Sequence, residues 1–271
     1  MGDHEAPQLS LSVSRTEGSH MDTEKTTIEW AYEPIDFFEG PMRFASEEYT
    51  VDIQNGIASA ILNKAQEPVP TSLLQSITDE LHVIFKARKM FAGVSYKLSG
   101  YTINYYKADG SKKAHVLIAE TAMYVISGMH VDMIITNKDG TIIHDSKSDR
   151  ILEQKDKIDA IRKASKNAQV VNMALNSYSN AVSDPDNEFV YLYEIVDAVV
   201  THYGGEKEAI SRLGISRARW KRLTKIANRE PIKQSRHRGK HNVIRPASQE
   251  ELDVARSIAR ELVERLSNNL K

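Results

Sequence analysis

The chain has 271 residues and no cysteine, and its 36 lysine and arginine residues almost balance 37 aspartate and glutamate residues, giving a formal net charge of −1. The lack of cysteine excludes disulfides, thiolate metal sites and cysteine nucleophiles, and it fits a reducing cytoplasm. No apolar run approaches the roughly 18 residues of a membrane span, so we expect a cytoplasmic protein that does not cross a membrane.

The sequence pattern divides the chain into three parts. Residues 1–20 lack hydrophobic periodicity and end in Gly18-Ser19-His20, which is typical of an expression tag. Residues 21–149 predict an α+β domain, and residues 150–271 predict an all-α domain. The change from strand to helix periodicity places the boundary at residues 146–150.

The first domain is expected to be strand-rich with one long helix. Period-two alternation and β-branched or aromatic residues predict strands at Thr27–Tyr32, Tyr49–Ile53, Ile57–Leu62, Tyr96–Tyr106, His115–Ile126 and Val131–Thr136. Asn55-Gly56 and Asp109-Gly110 have the chemistry of hairpin turns because both dipeptides tolerate positive φ, and Asp139-Gly140 marks another turn. An apolar stripe predicts a helix from about Ser72 to Phe91, ended by Gly93.

No metal-ligand cluster, glycine-rich phosphate loop or nucleophile elbow is found in this domain. Its isolated histidines, such as His82 and His115, have no partner at ligand spacing. The role of the domain therefore stays open, and we expect neither a metal nor another cofactor.

The second domain has helical periodicity throughout. Its predicted helices are joined by links that contain proline or glycine and cover about Ile151–Val182, Phe189–Tyr203, Lys207–Leu213, Arg217–Asn228 and Gln249–Leu270. Before the last helix, Ser248 and Glu251 have the spacing of a capping box, in which each side chain accepts a hydrogen bond from the other residue's backbone N–H. Long amphipathic helices with short links indicate a helical bundle.

A basic segment lies within this domain. Residues 206–245 contain 13 lysine or arginine residues and three glutamates, a balance of +10 before histidines are counted. Such a local field attracts polyanions, and nucleic acid is the commonest large polyanion in a cell. A solvated helix face is the alternative interpretation. The helix cations expected to bind RNA are Arg217, Arg219, Lys221, Arg222 and Lys225.

The densest group of phosphate-binding and proton-transferring side chains follows the fourth of these helices. It reads Arg236-His237-Arg238-Gly239-Lys240-His241. Arginine is a permanent cation that forks onto phosphate, and histidine can exchange protons near neutral pH. The cluster predicts an RNA-cleaving site, and a solvated basic loop is the alternative.

The helical half, residues 151–271, resembles the HEPN superfamily, whose small four-helix bundles carry an Arg, a polar residue, three variable residues and a His. Arg236, His237 and His241 stand at the three defined positions. The approach through Asn228 and Gly239 is similar to the Asn…Arg-His-x-Gly form of HEPN proteins from mobile and defence loci. Phe189-Val-Tyr-Leu-Tyr-Glu194 is similar to the family's second helix. The resemblance does not extend to residues 21–149.

The resemblance implies a metal-independent endoribonuclease that acts on tRNA or mRNA as a toxin or antiviral defence effector. His241 and His237 would transfer protons while a ribose 2′-OH attacks the adjacent phosphate, and Arg236 would offset the charge on that phosphate. Arg238 and Lys240 would bind flanking phosphates. The resemblance also implies a homodimer that pairs two copies of the motif, and an antitoxin or defence component as partner.

Other interpretations stay open. Tyr193 and Glu194 could orient a histidine, and Asn228 could position the loop as a helix cap, although packing and exposure are the ordinary roles of such residues. The stretch around Gly214 has the cadence of a DNA-binding helix-turn-helix, but Ile210 stands where the helix crossing favours a small residue. A catalytically silent HEPN module used for dimerisation would keep the fold and lose the chemistry.

Overall fold

The computed structural model describes residues 23–117, 132–139, 141–240 and 242–271. The first half contains a six-stranded antiparallel sheet with the strand order β2-β3-β4-β1-β5-β6 and a separate two-stranded ribbon, β7-β8. The strands are β1 Thr23–Glu33, β2 Met42–Ala45, β3 Tyr49–Gln54, β4 Ile57–Leu62, β5 Lys97–Lys107, β6 Lys112–Val116, β7 Ile134–Thr136 and β8 Ile142–Asp145.

Turn chemistry determines where the strands reverse. Asn55 and Gly56 join β3 to β4 with φ values of 51° and 79°, as a two-residue hairpin requires, and Gly110 has a φ of 81° between β5 and β6. Both predicted hairpins are confirmed. The third predicted turn involves Gly140, which lies outside the described residues.

Four of the predicted strands are confirmed with shifted ends, and β2 and β8 were not predicted. Of the run expected at His115–Ile126, the first two residues belong to β6, Leu117 follows it, and residues 118–126 lie outside the described ranges. The run expected at Val131–Thr136 is described from Asp132 and contains β7. The four residues of β2 and of β8 are too few for a clear period-two pattern, which explains why the sequence did not reveal them.

One helix, α1, extends from Thr71 to Ala92 and lies on the sheet, as predicted. Its inward stripe is fully buried and includes Ile77, Leu81 and Phe85. Gly93 ends the helix in the left-handed conformation, with a φ of 68°, and donates its N–H to the carbonyl of Lys89 at 2.9 Å.

The second half is helical, so the predicted succession of a strand-rich and a helical part is confirmed. Its helices are α2 Ser146–Asn167, α3 Gln169–Ser183, α4 Glu188–Tyr203, α5 Glu206–Leu213, α6 Arg217–Asn228 and α7 Gln249–Leu270. The capping box of Ser248 and Glu251 is present at the start of α7. None of the helices in the described ranges combines the length and apolar character needed to cross a lipid bilayer.

The single helix predicted at Ile151–Val182 is wrong, because the chain breaks at Ala168. Ala168 has an extended backbone, with φ −140° and ψ 108°. The side chain of Asn172 donates to the carbonyl of Ser165 at 2.9 Å and so satisfies an acceptor left at the end of α2. This side-chain contact replaces a backbone hydrogen bond, which is why apolar periodicity alone does not reveal the break.

The two halves share one hydrophobic core. Helix α1 contacts β1 through the rings of Phe85 and Tyr32 and β3 through the hydrogen bond from Tyr49 to Glu80. It also packs against α2 and α3, while α7 packs against α2, α4 and α6. Helix α2 begins at Ser146, where the side chain of Asp145 accepts the backbone N–H groups of Lys147 and Ser148.

Candidate functional site

The predicted site lies in the connection between α6 and α7, residues 229–248, called here the α6–α7 loop. The loop folds back onto the bundle because Ile232 and Ser235 are fully buried. The backbone of Lys233 pairs with that of Arg245 at 2.9 Å, and the backbone N–H of Arg236 donates to Ala227 at 3.0 Å. These contacts fix the backbone of the basic motif, whereas Arg236, Arg238 and Lys240 are exposed, so the interpretation as a solvated basic loop stays open.

Arg236 is held by two residues one turn apart on α4. Its Nη1 lies 2.9 Å from Oδ2 of Asp197, and its guanidinium carbon lies 4.6 Å from the ring centre of Tyr193. The side chain of Arg236 is 35% exposed and that of Asp197 is 51% exposed. The ion pair uses one of five N–H donors, and the other four have no partner in the described part of the chain. Arg236 is therefore oriented and can still bind a phosphate.

Helix α4 provides a rigid base for these contacts. Glu188 at its start is only 2% exposed and receives two hydrogen bonds from Arg256 of α7, at 2.5 and 2.8 Å. Burial raises the pKa of Tyr193, and the carboxylate of Asp197 raises it further. Tyr193 therefore stays a neutral phenol whose ring stacks on the arginine.

The two supporting residues predicted on α4 have different contacts from those expected. Tyr193 lies against Arg236 and not against a described histidine, and Glu194 accepts a hydrogen bond from the hydroxyl of Ser177 at 2.9 Å. Asp197, which the sequence analysis did not single out, is the acidic partner of Arg236. Its spacing of four residues from Tyr193 on one helix face is a signal that could have found it.

The histidines of the motif are described only in part. His237 is half-buried, and its imidazole has no hydrogen-bond partner among the residues that the structure covers. His241 lies outside the described residues. Asn228 ends α6, and its side-chain oxygen is buried without a hydrogen-bond donor from the described chain.

Arg238 and Lys240 differ in their surroundings. Arg238 donates to the carbonyls of Asp186 and Lys233, at 3.3 and 2.8 Å, and to the side chain of Asn187 at 2.5 Å. These bonds tie the α6–α7 loop to the turn before α4. Lys240 is exposed and has no ion pair within the described ranges, which leaves it available to a flanking phosphate.

The five cations of α6 fall into two groups. Arg219 pairs with Glu261 at 2.6 Å, and Lys225 pairs with Glu230 at 2.9 Å. Arg217, Lys221 and Arg222 have no carboxylate partner among the residues seen in the structure. Because the opposite face of α6 is buried through Trp220, Leu223 and Ile226, the unpaired cations are directed away from the core.

A groove of about 510 Å³ lies beside Asp197, between α3 and α4. Its wall combines apolar groups of Val170, Met173 and Ala198 with the carboxylate of Glu194. Met173 is 52% exposed. The groove offers an apolar surface near Arg236, whose partner Asp197 is one of its lining residues.

No group of three or more metal-ligating side chains occurs within the described ranges. Comparison with known proteins found no matching family model, no matching curated protein and no matching solved structure. The chemistry of the site is therefore argued from its geometry and its charge.

Proposed function

We propose that the chain is an endoribonuclease of the HEPN type that cleaves RNA without a metal ion. The observation that supports this most is the arrangement of Arg236, Asp197 and Tyr193. A permanent cation with free donors is held in one orientation beside His237, in a loop and helix rich in unpaired cations. Oriented donors stabilise the charge that develops on a phosphate better than mobile ones, because they need no reorganisation during the reaction.

The substrate supplies the nucleophile in this mechanism. One histidine, His241 or His237, removes the proton from a ribose 2′-OH, and the oxygen attacks the adjacent phosphorus. The bond to the 5′-oxygen breaks as a second histidine protonates that oxygen. The products are a 2′,3′-cyclic phosphate and a 5′-hydroxyl. Arg236 binds the non-bridging phosphate oxygens, and the groove beside Asp197 accepts a neighbouring base.

The direct test is cleavage of total RNA by the purified chain in EDTA. We expect the wild type to cleave, whereas Arg236→Ala and His241→Ala each lose at least about 10²-fold in rate, as removal of a positioned charge or proton-transfer group does. Lys207→Ala is the matched control, because Lys207 is an exposed cation with no ion pair in the described chain. Full activity in either folded motif variant would refute the site.

A DNA-binding regulator is the second candidate, and one observation favours it. Helices α5 and α6 are joined by a short turn at Gly214, whose φ is 61°, and the face of α6 opposite its buried residues carries Arg217 and Lys221, which are unpaired in the described chain. The unpaired face of α6 would then enter a major groove. A preference for duplex DNA over single-stranded RNA in a binding titration, without cleavage, would favour this function.

A further inference from the structure

A second cleft lies away from the α6–α7 loop, between α1, α2 and α3. Its volume of about 1060 Å³ is that of a site for a small molecule of nucleotide size. Apart from Val83, its lining residues carry hydroxyl, amide, imidazole or charged groups at the ends of their side chains. Those used below are His82 and Lys86 of α1, Ser165 and Lys166 of α2, and Asn172 and Asn176 of α3.

The two carboxylates in the wall differ in their partners. Glu80 accepts from Arg162 at 2.6 Å on one oxygen, and from Lys166 at 2.5 Å and the Tyr49 hydroxyl at 2.7 Å on the other. Asp79 accepts from the neutral side chain of Gln75 at 2.8 Å, and its carboxylate opposes the burial that lowers the pKa of Lys86. Of the two, Glu80 is therefore the carboxylate that cations of the protein neutralise.

Positive charge along α1 is not neutralised in the same way. Lys86 donates to the side-chain oxygen of Asn176 at 2.8 Å and has no carboxylate within ion-pair distance in the described chain. Lys89, one turn further along, is 4% exposed and donates only to the hydroxyls of Ser179 and Ser183, at 3.3 and 2.5 Å. Burial lowers the pKa of Lys86, and burial together with the charge of Lys86 lowers that of Lys89 to about 8. Removal of two neighbouring ammonium groups from water is costly unless an anion offsets it.

Two further groups in the cleft can bind an anion or a polar ligand. The hydroxyl of Ser165 is buried and has no hydrogen-bond partner among the described residues. His82 lies one turn before Lys86 on the same helix and lines the same cleft. We propose that this cleft binds a phosphorylated small molecule, with a phosphate on Lys86 and His82 and with the amides of Asn172 and Asn176 against its polar remainder.

The ligand would contact both halves of the protein. Helix α1 covers the sheet, whereas α2 and α3 belong to the helical half. Helix α3 also forms one wall of the groove beside Asp197, through Val170 and Met173. The proposal does not depend on RNA cleavage, because binding in the cleft uses other residues than the α6–α7 loop.

Isothermal titration with inorganic pyrophosphate and with ADP, in EDTA and without RNA, tests the proposal. We expect the wild type to bind with a Kd below about 1 mM. The decisive variant is Asn176→Asp, which places a carboxylate of nearly the same shape 2.8 Å from Lys86. It should weaken binding at least about tenfold, by occupying Lys86 and repelling the phosphate, while the melting temperature stays the same or rises.

Two control variants distinguish binding in this cleft from binding at the α6–α7 loop and from nonspecific attraction of anions to exposed lysines. Arg236→Ala and Lys64→Met, an exposed lysine outside the cleft, should bind both probes like the wild type. Lack of binding of both probes up to about 10 mM would overturn the proposal, as would wild-type affinity in Asn176→Asp. Loss of binding in Arg236→Ala, with Asn176→Asp unaffected, would assign the anion to the loop and also overturn it.

Discussion

At the residue scale, the orientation of Arg236 depends on two side chains that do not belong to its motif. Asp197 fixes one edge of the guanidinium, and the ring of Tyr193 supports its face. The motif residues alone could point in many directions on a 20-residue loop. Helix α4 removes that freedom before any substrate binds, which lowers the entropy that binding must overcome.

The ring of Tyr193 should matter more than its hydroxyl. Tyr193→Phe keeps the stacked ring and should cleave RNA at nearly the wild-type rate, whereas Tyr193→Leu should lose about 2- to 30-fold, since a cation–π contact contributes roughly 0.5–2 kcal/mol. Initial cleavage rates in EDTA, measured beside thermal melting, check this. A large loss in Tyr193→Phe would instead show that the phenol takes part in proton transfer.

The anchor of the α6–α7 loop should make stability depend on pH. Two hydrogen bonds from Arg245, both 2.7 Å, lower the pKa of Glu251 from an ordinary 4.5 to about 2. Because the carboxylate is more acidic in the folded state, its contribution is complete above about pH 5 and is lost as the pH falls from there toward 2. It amounts to at most about 3 kcal/mol, and to less in practice because Arg245 is half exposed.

Urea denaturation of the wild type and Arg245→Met between pH 7 and pH 3 measures this contribution. The variant should be less stable at pH 7, and the difference in unfolding free energy should shrink as the pH falls. A difference that stays constant over this range would show that Arg245 acts through packing and not through the charge of Glu251.

At the element scale, α6 divides its cations between structure and binding. Arg217 and Lys221 are unpaired in the described chain, while Arg219 and Lys225 are held by carboxylates. Neutralising Arg217 and Lys221 should flatten the slope of log K against log salt for binding of single-stranded RNA by about 1.4. The reason is that two phosphates no longer lose their counterions when the protein binds. Fluorescence titration at several salt concentrations gives the slope.

The double variant Arg219→Gln and Lys225→Gln is the internal comparison. It removes the same formal charge from the same helix, but from cations that already have partners. Its slope should change less than that of the first pair. If both double variants flatten the salt dependence equally, α6 attracts RNA through its overall positive field and not through individual phosphate contacts.

At the scale of the whole molecule, buried ionic contacts tie the sheet to the helices. Arg88 of α1 is 4% exposed, donates to the carbonyl of Phe37 at 2.6 Å, and pairs with Glu39 at 3.2 Å. Arg150 of α2 also pairs with Glu39, at 2.7 Å. The segment after β1 is thus bound to a helix from each half, so we expect the two halves to unfold together.

Assembly is the remaining prediction at this scale. One motif has few groups for simultaneous acid and base catalysis, so the active species should be a dimer in which two α6–α7 loops face each other. Light scattering, with cleavage measured over a range of protein concentrations, tests this; specific activity should fall on dilution below the dissociation constant. A monomer that cleaves RNA at full rate when dilute would contradict a shared site.

An alternative contact surface makes the location of the dimer axis testable. Val116 of β6, Ile134 of β7 and Ile143 of β8 are 68%, 60% and 66% exposed. A dimer joined through these strands, with its α6–α7 loops far apart, would leave the helical fold intact and remove the shared mechanism. Cross-linking from a cysteine introduced at Lys240 would distinguish the two arrangements.

The sequence by itself determined the succession of a strand-rich and a helical part and most of the elements within them, because those elements have local causes. Turn dipeptides such as Asn55-Gly56 require positive φ, the capping box satisfies the start of α7, and apolar stripes recur with the period of a helix. It also located the basic segment and the motif around Arg236, since charge is a property of residue type.

Only the tertiary structure decided which of those charges are free. The pairing of Arg236 with Asp197, the use of Arg238 as a tether and the occupation of Arg219 all join residues at least 39 positions apart. The break at Ala168 and the cleft along Lys86 also depend on contacts between elements. Such contacts are set by how helices pack, and no local propensity in the chain encodes the neighbour that each side chain meets.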